Sequence, residues 1–260
     1  MNILGDSLEK IAFEKAGTIK KGIPVVIGET LPVTKPVFET AATEKGSAIH
    51  FANKKRNAVN WQWLQHELVV EVEEQGKTDH KNYHLDLPGI YQTKNLLTVL
   101  EVCHQLNDAG FNLDENAIRK GLQQTKKLTG LHGRWEIIAE MPLVVLDVAH
   151  NEDGIKQLLQ QVELTNHHQL HMVLGMVKDK EIDKVLSLLP HTANYYFTQA
   201  AIPRALPAEQ LQEKAAMHNL KGNIFKNVNE AIAFAKNNSH KDDLILVCGS
   251  VFLVGEVQVN

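Results

Sequence analysis

Two cysteines, Cys103 and Cys248, are all this chain has, and they stand far apart in no metal-ligand spacing. A disulfide framework is thereby excluded, and such sparing use suits a reducing compartment. Positive charge is not in excess either: the formal net charge is −4, which argues against a dedicated nucleic-acid binder. The short run Lys54-Lys55-Arg56 is expected to be a solvated loop. No apolar run approaches the roughly 18 residues needed to span a bilayer, and the N-terminus lacks a signal-peptide pattern. A cytoplasmic protein without a membrane partner is expected. Also missing is any glycine-rich phosphate loop of the Gly-x-x-Gly-Lys-Ser/Thr kind, and any G-x-G-x-x-G string. That last absence weighs against a dinucleotide-dependent oxidoreductase.

What is present is enough chain, 260 residues, for two modest domains with ample core. Asp6 and Glu9 followed by Gly17 predict a capped helix, in which Leu8, Ile11, Ala12 and Lys15 share one face. A lysine in line with an apolar stripe either snorkels or is paired. Strands are predicted over 22–28 and 48–51 with a helix over 33–45 between them, a βαβ rhythm that implies a parallel sheet. Residues 68–72 and 83–87 read as antiparallel strands, and Trp61 and Trp63 as core anchors. A long amphipathic helix through Leu106 follows Gln92-Thr93-Lys94-Asn95, then a helix over 114–124 capped by Asp114. The stretch 126–130 is the expected linker, giving domains 1–129 and 130–260. Beyond it, strands at 143–147, 171–176, 194–198, 223–225 and 244–248 alternate with helical patterns at 154–164, 180–189, 207–217 and 228–237. This is the pattern of a doubly wound α/β domain. His167, His168 and His171 cluster, but no cysteine or carboxylate ligands at zinc spacing accompany them.

The chemistry is concentrated in Leu143-Val144-Val145-Leu146-Asp147-Val148-Ala149-His150-Asn151. A strand buried on both faces ends in an acid, a histidine and an asparagine, and a helix follows. Ligands of open α/β sheets sit beyond the carboxyl ends of the strands, so Asp147 and His150 would stand at the mouth of a crevice. The alternative is that Asp147 or Asn151 only caps the helix.

Several strings together resemble the folylpolyglutamate synthase/dihydrofolate synthase branch of the Mur ligase superfamily. Asp147-Val148-Ala149-His150-Asn151 is similar to its Asp-x-Ala-His-Asn string, although the branch has Pro next and this chain has Glu152. Gly133-Arg134-Trp135-Glu136 resembles its Gly-Arg-Phe/Trp-Glu, and Leu4–Lys20 its Leu-Gly-x-Thr-x-x-x-Ile-Ala-x-Glu-Lys-Ala-Gly segment. Gly89-Ile90-Tyr91-Gln92-Thr93-Lys94-Asn95, the Gly175–Lys180 turn and the close Cys248–Val257 also have counterparts there.

The resemblance implies a partial central ATPase domain of Mur-ligase type followed by a Rossmann-like C-terminal domain. It implies an ATP- and Mg²⁺-dependent ligase that adds L-glutamate to a folate or to dihydropteroate and works as a monomer when full length. By the same resemblance Lys15 would carry a carbamate at the metal site, and Asn95, Arg134 and Asp147 would contact ATP. His150 would lie near the γ-phosphate or the glutamate, and Ser250 would contact substrate. The family's phosphate loop would precede Met1, so the 260 residues correspond to the back part of such an enzyme and are expected to be inactive alone. A non-catalytic remnant that keeps a nucleotide- or protein-binding role is the alternative.

Overall fold

A computed structural model describes residues 7–178 and 182–258, in two compact units. One comprises the chain to Asp86 with Tyr91–Gln124; the other comprises Leu87–Ile90 with the chain from Thr125 onward. Asp6, Asp179 and Lys180, which carried expectations from the sequence, lie outside the described residues.

The first unit opens with α1 (Leu8–Ala16), whose N-cap is Ser7, not Asp6: the Ser7 hydroxyl accepts from the Lys10 N–H at 3.3 Å. Its buried residues are Ala12 and Ala16, whereas Leu8 and Lys15 are exposed. The expected stripe through Lys15 is therefore not the packed face. The helix buries the neighbouring line of small residues instead, and Lys15 projects into solvent without a desolvation cost. Strands β1 (Val25–Ile27) and β2 (Ile49–Phe51) pair in parallel, joined through α2 (Lys35–Glu44), as the βαβ rhythm implies. A single turn, α3 (Ala52–Lys55), leads into β3 (Arg56–Leu64), which pairs antiparallel with β4 (Glu67–Glu74). β4 pairs antiparallel with β5 (Lys81–Leu85), and the long α4 (Gln92–Asp108) and short α5 (Glu115–Gln123) complete the unit. Leu68, Val70, Val72, Tyr83 and Leu85 on the sheet and Leu96, Leu97 and Leu100 on α4 form one core, against which Trp61 and Trp63 pack half-buried. Asp114 caps α5 as expected, accepting from the Ala117 N–H at 2.7 Å.

Lys54-Lys55-Arg56 is not a solvated loop. Arg56 is buried at the start of β3, with Nη1 2.6 Å from Glu101 Oε2 and Nη2 3.3 Å from Glu74 Oε1. Lys55 Nζ lies 2.7 Å from Glu101 Oε1, and Gln105 Nε2 donates to the same oxygen at 2.9 Å. Burial opposes the charge on Glu101, but Lys55, Arg56 and Gln105 outweigh it and hold its carboxyl below the usual range.

The second unit begins with α6 (Thr125–Thr129), a one-turn helix where an irregular linker was expected. Then follow β6 (Glu136–Glu140), β7 (Leu143–Leu146), α7 (Glu152–Leu164), β8 (Leu170–Leu174) and α8 (Ile182–Leu188). The chain continues through β9 (Asn194–Phe197), α9 (Ala208–Met217), β10 (Gly222–Ile224), α10 (Val228–Asn237), β11 (Leu244–Cys248) and α11 (Val251–Gly255). The sheet order is β10-β9-β8-β11-β7-β6, parallel except for the antiparallel edge strand β6. From β7 the chain crosses to β8 through α7 and steps outward to β10. It then returns through α10 to insert β11 between β7 and β8.

Alternation along each strand divides its side chains between two layers. Val145, Met172, Leu174, Tyr195, Phe197, Leu244 and Leu246 pack with Ile155 and Leu158 of α7, Val185 of α8 and Leu211 of α9. Val144, Leu146, Val173, Tyr196, Ile245 and Val247 pack with Ala231 and Ala235 of α10 and Leu253 of α11. Covered on both faces, the four inner strands β7, β8, β9 and β11 read in sequence as largely apolar runs.

Three polar groups interrupt the second layer. His171 on β8 lies 2.8 Å from the Tyr196 hydroxyl through Nδ1 and 3.1 Å from Asp243 Oδ2 through Nε2, all three side chains buried. Asp243 also accepts from the backbone N–H of His240 at 2.7 Å and of Gln169 at 3.2 Å. Burial opposes its charge, but the His240 N–H, the His171 ring and the Gln169 N–H together hold the carboxyl below the usual range. His167 turns instead to the Thr165 carbonyl at 2.7 Å, so the three histidines do not converge.

Two stability outcomes are expected. Glu101→Ala leaves Arg56 buried without its closest carboxylate, and chemical denaturation should register a loss of about 3–5 kcal/mol. Asp243 has a folded pKa below its unfolded value, so its stabilisation is complete above the unfolded value and lost as pH falls through it toward the folded one. The stability gap between wild type and Asp243→Asn should therefore be wide at neutral pH and close below about pH 4 in urea titrations.

Candidate functional site

Strands β7, β8 and β11 all end at one edge, and a parallel strand buried on both faces can present chemistry only there. Backbone contacts lock these ends together. The Asp147 N–H donates to the Val247 carbonyl at 2.9 Å, Gly249 N–H to Ala149 O at 2.9 Å and Gly175 N–H to Cys248 O at 3.3 Å. Gly249 has φ +106°, and a Cβ there would stand 2.6 Å from the Gly175 carbonyl oxygen, so the approach of the two chains requires glycine.

Asp147 is buried, 3% exposed, and both its carboxylate oxygens accept backbone N–H groups. Oδ2 takes the Trp135 N–H at 2.8 Å and Oδ1 the Ala149 N–H at 2.9 Å. The carboxylate thus spans the end of β7 and the turn that precedes β6. That turn is clamped a second time by Glu136, whose Oε2 accepts from the Gly133 N–H at 2.8 Å while Oε1 lies 2.9 Å from His132 Nδ1. Gly133 has φ +71°, and a Cβ would meet Val148 Cγ1 at 2.7 Å and Val254 Cγ1 at 2.8 Å. Trp135 has φ +50°, a left-handed conformation that costs a bulky residue about 1–2 kcal/mol. Its ring is buried in the first core layer, and this burial together with the Asp147 carboxylate offsets the strain.

Between these two residues stands Arg134, half-buried. Its one hydrogen bond is a 3.3 Å contact from Nη1 to the Gly133 carbonyl, and no carboxylate pairs with it among the described residues. A guanidinium with four further donor hydrogens and a fixed charge is suited to phosphate or carboxylate.

His150 is exposed, with Nδ1 2.9 Å from the Val148 carbonyl oxygen. A carbonyl only accepts, so Nδ1 carries the proton and a neutral ring offers Nε2 outward as acceptor. Asn151 caps α7, its Oδ1 accepting from the Gly154 N–H at 2.8 Å. Of the two capping possibilities the sequence offered, Asn151 is the cap. Glu152, where the family pattern has proline, pairs with Lys156 at 2.5 Å and with Asp153 makes the first turn of α7 acidic. Ser250 is buried and caps α11, its hydroxyl accepting from the Phe252 N–H at 3.1 Å.

Arg134, Asp147, His150 and Ser250 thus belong to the second unit, at or beside the carboxyl edge of its sheet. Lys15 and Asn95 belong to the first. Asn95 is exposed in the first turn of α4, its Nδ2 donating to Gln92 Oε1 at 2.8 Å. No three His, Cys, Asp or Glu among the described residues surround a common point that would hold a metal. Sequence reasoning missed Arg204, whose guanidinium lies over the Phe252 ring at 4.5 Å, both side chains exposed. No spacing signal links positions 48 residues apart. It also missed the clamp role of Glu136, for which the third place after Gly133 was a usable sign.

Residues 133–251 match the family described as Mur ligase, glutamate ligase domain. The chain is 28% identical over 272 residues to the dihydrofolate synthase/folylpolyglutamate synthase of Bacillus subtilis, covering 99% of this chain and 59% of that protein. With the protein of that name from Escherichia coli it shares 31% over 257 residues, 98% of this chain and 56% of the relative. A Yersinia pestis bifunctional folylpolyglutamate synthase/dihydrofolate synthase, solved with AMPPNP and Mn ion, superposes with a TM-score of 0.74 at 28% identity over 98% of this chain and 57% of that one. The chain thus spans less than two thirds of the length of each.

Gly133→Ala places a side chain against Val148 and Val254 and strains the backbone. Thermal denaturation should show a loss of about 1–3 kcal/mol, and the emission of Trp135 should move toward that of a solvated indole.

Proposed function

We propose, from the premise that the chain carries a Mur-ligase-type glutamate ligase domain and is homologous to folylpolyglutamate/dihydrofolate synthases, that it is the glutamate-adding portion of an ATP-dependent acid–amino-acid ligase. The observation that carries this reading is Arg134: a half-buried guanidinium without a carboxylate partner among the described residues, on a doubly clamped turn at the carboxyl edge of the sheet. Such a group receives an anion, and in this family the anions are those of ATP and of the two carboxylated substrates. AMPPNP and Mn in the Yersinia pestis relative support ATP and a divalent ion, Mg²⁺ in the cell.

In the reaction, an oxygen of the substrate carboxylate, from a folate's glutamate tail or from dihydropteroate, attacks the γ-phosphorus and ADP leaves. The amine of L-glutamate then attacks the acyl phosphate carbon, phosphate departs, and the amine loses a proton. Positioning and charge compensation dominate phosphoryl transfer. Arg134 would face the nucleotide phosphates, Asn95 would offer its carboxamide to the nucleotide, and Asp147 would contact the nucleotide beside them. His150 Nε2 would accept the proton released by the amine, and Ser250 would contact the substrate. The metal is not fitted by the described residues alone, because Lys15 is a single exposed amine. Mg²⁺ is commonly held through substrate phosphates and few protein ligands, so Lys15, as a carbamate, would contribute one donor at most. Within these 260 residues no glycine-rich phosphate loop occurs, and the β- and γ-phosphates would need donors from elsewhere. A cytoplasmic setting and a monomeric whole enzyme complete the proposal.

The purified 260-residue chain should therefore show no glutamate-dependent ATP turnover with dihydropteroate or a folate, and only weak ATP binding, reduced further by Arg134→Ala. Supplying a phosphate-loop segment, fused or in trans, should produce turnover, which Arg134→Ala should then lower about tenfold or more. Turnover by the chain alone, or ATP affinity indifferent to Arg134, would overturn the reading. A non-catalytic role is favoured if the supplemented protein binds ATP but forms no product.

A further inference from the structure

We propose that Arg204, presented on the Phe252 ring at the carboxyl edge of the second unit's sheet, receives a carboxylate of the incoming amino acid. The inference rests on the functional reading above for the identity of that amino acid; the anion-receiving geometry stands on the fold.

The loop from Gln199 to Ala208 leaves the end of β9. That strand runs parallel to β8, so the loop rises from the same edge as the turns after β7, β8 and β11. A surface connection of this length is commonly mobile, but this one is tied down along its course. The Lys178 N–H donates to the Arg204 carbonyl and the Leu206 N–H to the Met176 carbonyl, each at 2.9 Å, and Val177 and Ala205 form an antiparallel bridge between them. Gln199 Oε1 accepts from the Ala208 N–H at 2.9 Å, and Glu256 Oε1 from the Ala201 N–H at 2.7 Å. Ala200, Ala205 and Leu206 are buried. The backbone of Arg204 is therefore fixed before any ligand arrives.

The Arg204 guanidinium lies over the Phe252 ring, 4.5 Å from its centre, and both side chains are exposed. It makes no hydrogen bond or ion pair among the described residues, and Glu256, the carboxylate that touches this loop, does not pair with it. Stacking on an aromatic face orients a guanidinium and leaves its in-plane N–H groups free, in the fork that matches a carboxylate. The ring belongs to α11, and the Phe252 N–H donates to the Ser250 hydroxyl at 3.1 Å. Arg204 thus packs on the segment that carries Ser250, the residue to which the reading above gives a substrate contact.

The two guanidinium groups of this edge occupy different stations. Arg134 enters beside β7 and Arg204 follows β9, with β11 and β8 between them, roughly 14 Å of sheet at the usual strand spacing. That is room for two separate anions. With the nucleotide phosphates at Arg134, the anions left are the carboxylates of the folate or dihydropteroate and of L-glutamate. Arg204 lies inside residues 133–251, the segment that matches a glutamate ligase domain, and this favours the amino acid.

Equilibrium binding to the 260-residue chain tests the assignment. The ligands are L-glutamate, L-glutamine, the α-amide of L-glutamate, dihydropteroate and ATP, and the proteins are wild type, Arg204→Ala and Arg204→Lys. Arg204→Ala should weaken L-glutamate at least about tenfold, the loss of a charge-assisted pair of hydrogen bonds, and leave ATP and dihydropteroate unchanged. Arg204→Lys keeps the charge without the fork and should fall between the two. One of the two amides should bind wild type and Arg204→Ala equally, and which one it is identifies the carboxylate: glutamine for the side-chain group, the α-amide for the other. The inference is overturned if L-glutamate affinity is indifferent to Arg204, if wild type binds no L-glutamate, or if both amides lose as much as L-glutamate does. A loss confined to dihydropteroate would place Arg204 at the folate instead and overturn it equally. The reading on which it rests is decided separately, by the response of ATP affinity to Arg134→Ala.

Discussion

A parallel strand covered on both faces can turn neither its side chains nor its hydrogen-bonding groups toward a ligand along its length. Only its end is free, and the site in the second unit follows from that constraint. β7, β11 and β8 lie side by side, and each hands its last backbone groups to a neighbour: Asp147 to Val247, Gly249 to Ala149, Gly175 to Cys248. Where two chains approach so closely, residues without a side chain are required, and Gly249 meets that requirement opposite Gly175. The candidate site residues of this unit are those at or beside this crowded edge.

The main rhythm of the second unit was legible in the sequence because its physics is local and repetitive. Runs of four or five residues, apolar throughout in β7 and β11 and mostly so in β8 and β9, marked four of the parallel strands, the short edge strand β10 followed from the spacing, and the helices between them carried periodic apolar faces. The edge strand β6 was not legible: Glu136–Glu140 is only half-buried, and its pairing with β7 is broken by an irregularity between Ile137 and Ala139, so neither alternation nor a buried run is present. The five-residue α11 was missed because it buries only Leu253 and Val254 and is too short to show a period. Among the candidate site residues, the sequence singled out the end of β7 and Arg134, which the fold brings side by side. It could not tell which polar groups face outward and which are consumed by the backbone, since that depends on contacts twelve residues apart, as between Asp147 and Trp135.

The first unit was less legible for a related reason. Its antiparallel sheet has one side partly exposed, and β3 alternates Asn, Gln and Trp rather than apolar with charged residues, so the strand was hidden. Arg56 was misread as part of a solvated run because the partner that draws it inward, Glu101, is 45 residues away on α4. On a single-sequence reading a charge run is solvated unless something pairs it, and the pairing is long-range. The α1 helix makes the same point with spacing: Leu8, Ile11, Ala12 and Lys15 form a regular stripe, yet the buried positions are Ala12 and Ala16. Small residues permit close approach of a neighbouring element, which periodicity of large apolar residues does not reveal.

Hydrogen bonds within the protein engage some residues of the candidate site more than others. Asp147, Glu136, Asn151 and Ser250 each have side-chain oxygens engaged by backbone N–H groups within the protein, at 2.8 to 3.1 Å. Their acceptors fix a turn, a strand end or a helix cap, and each oxygen keeps a second lone pair beside the bond it already accepts. Arg134 and His150 are the reverse case. The guanidinium uses one of five donors in a long contact, and the imidazole spends Nδ1 on a carbonyl and keeps Nε2. An acceptor-rich set therefore builds the frame, and the groups left over are a permanent cation and an imidazole nitrogen. Backbone donors stabilise the charge of the frame's two carboxylates, so the turn and the strand end they hold are fixed before any ligand arrives, and the groups left to meet one are those with donors or acceptors to spare.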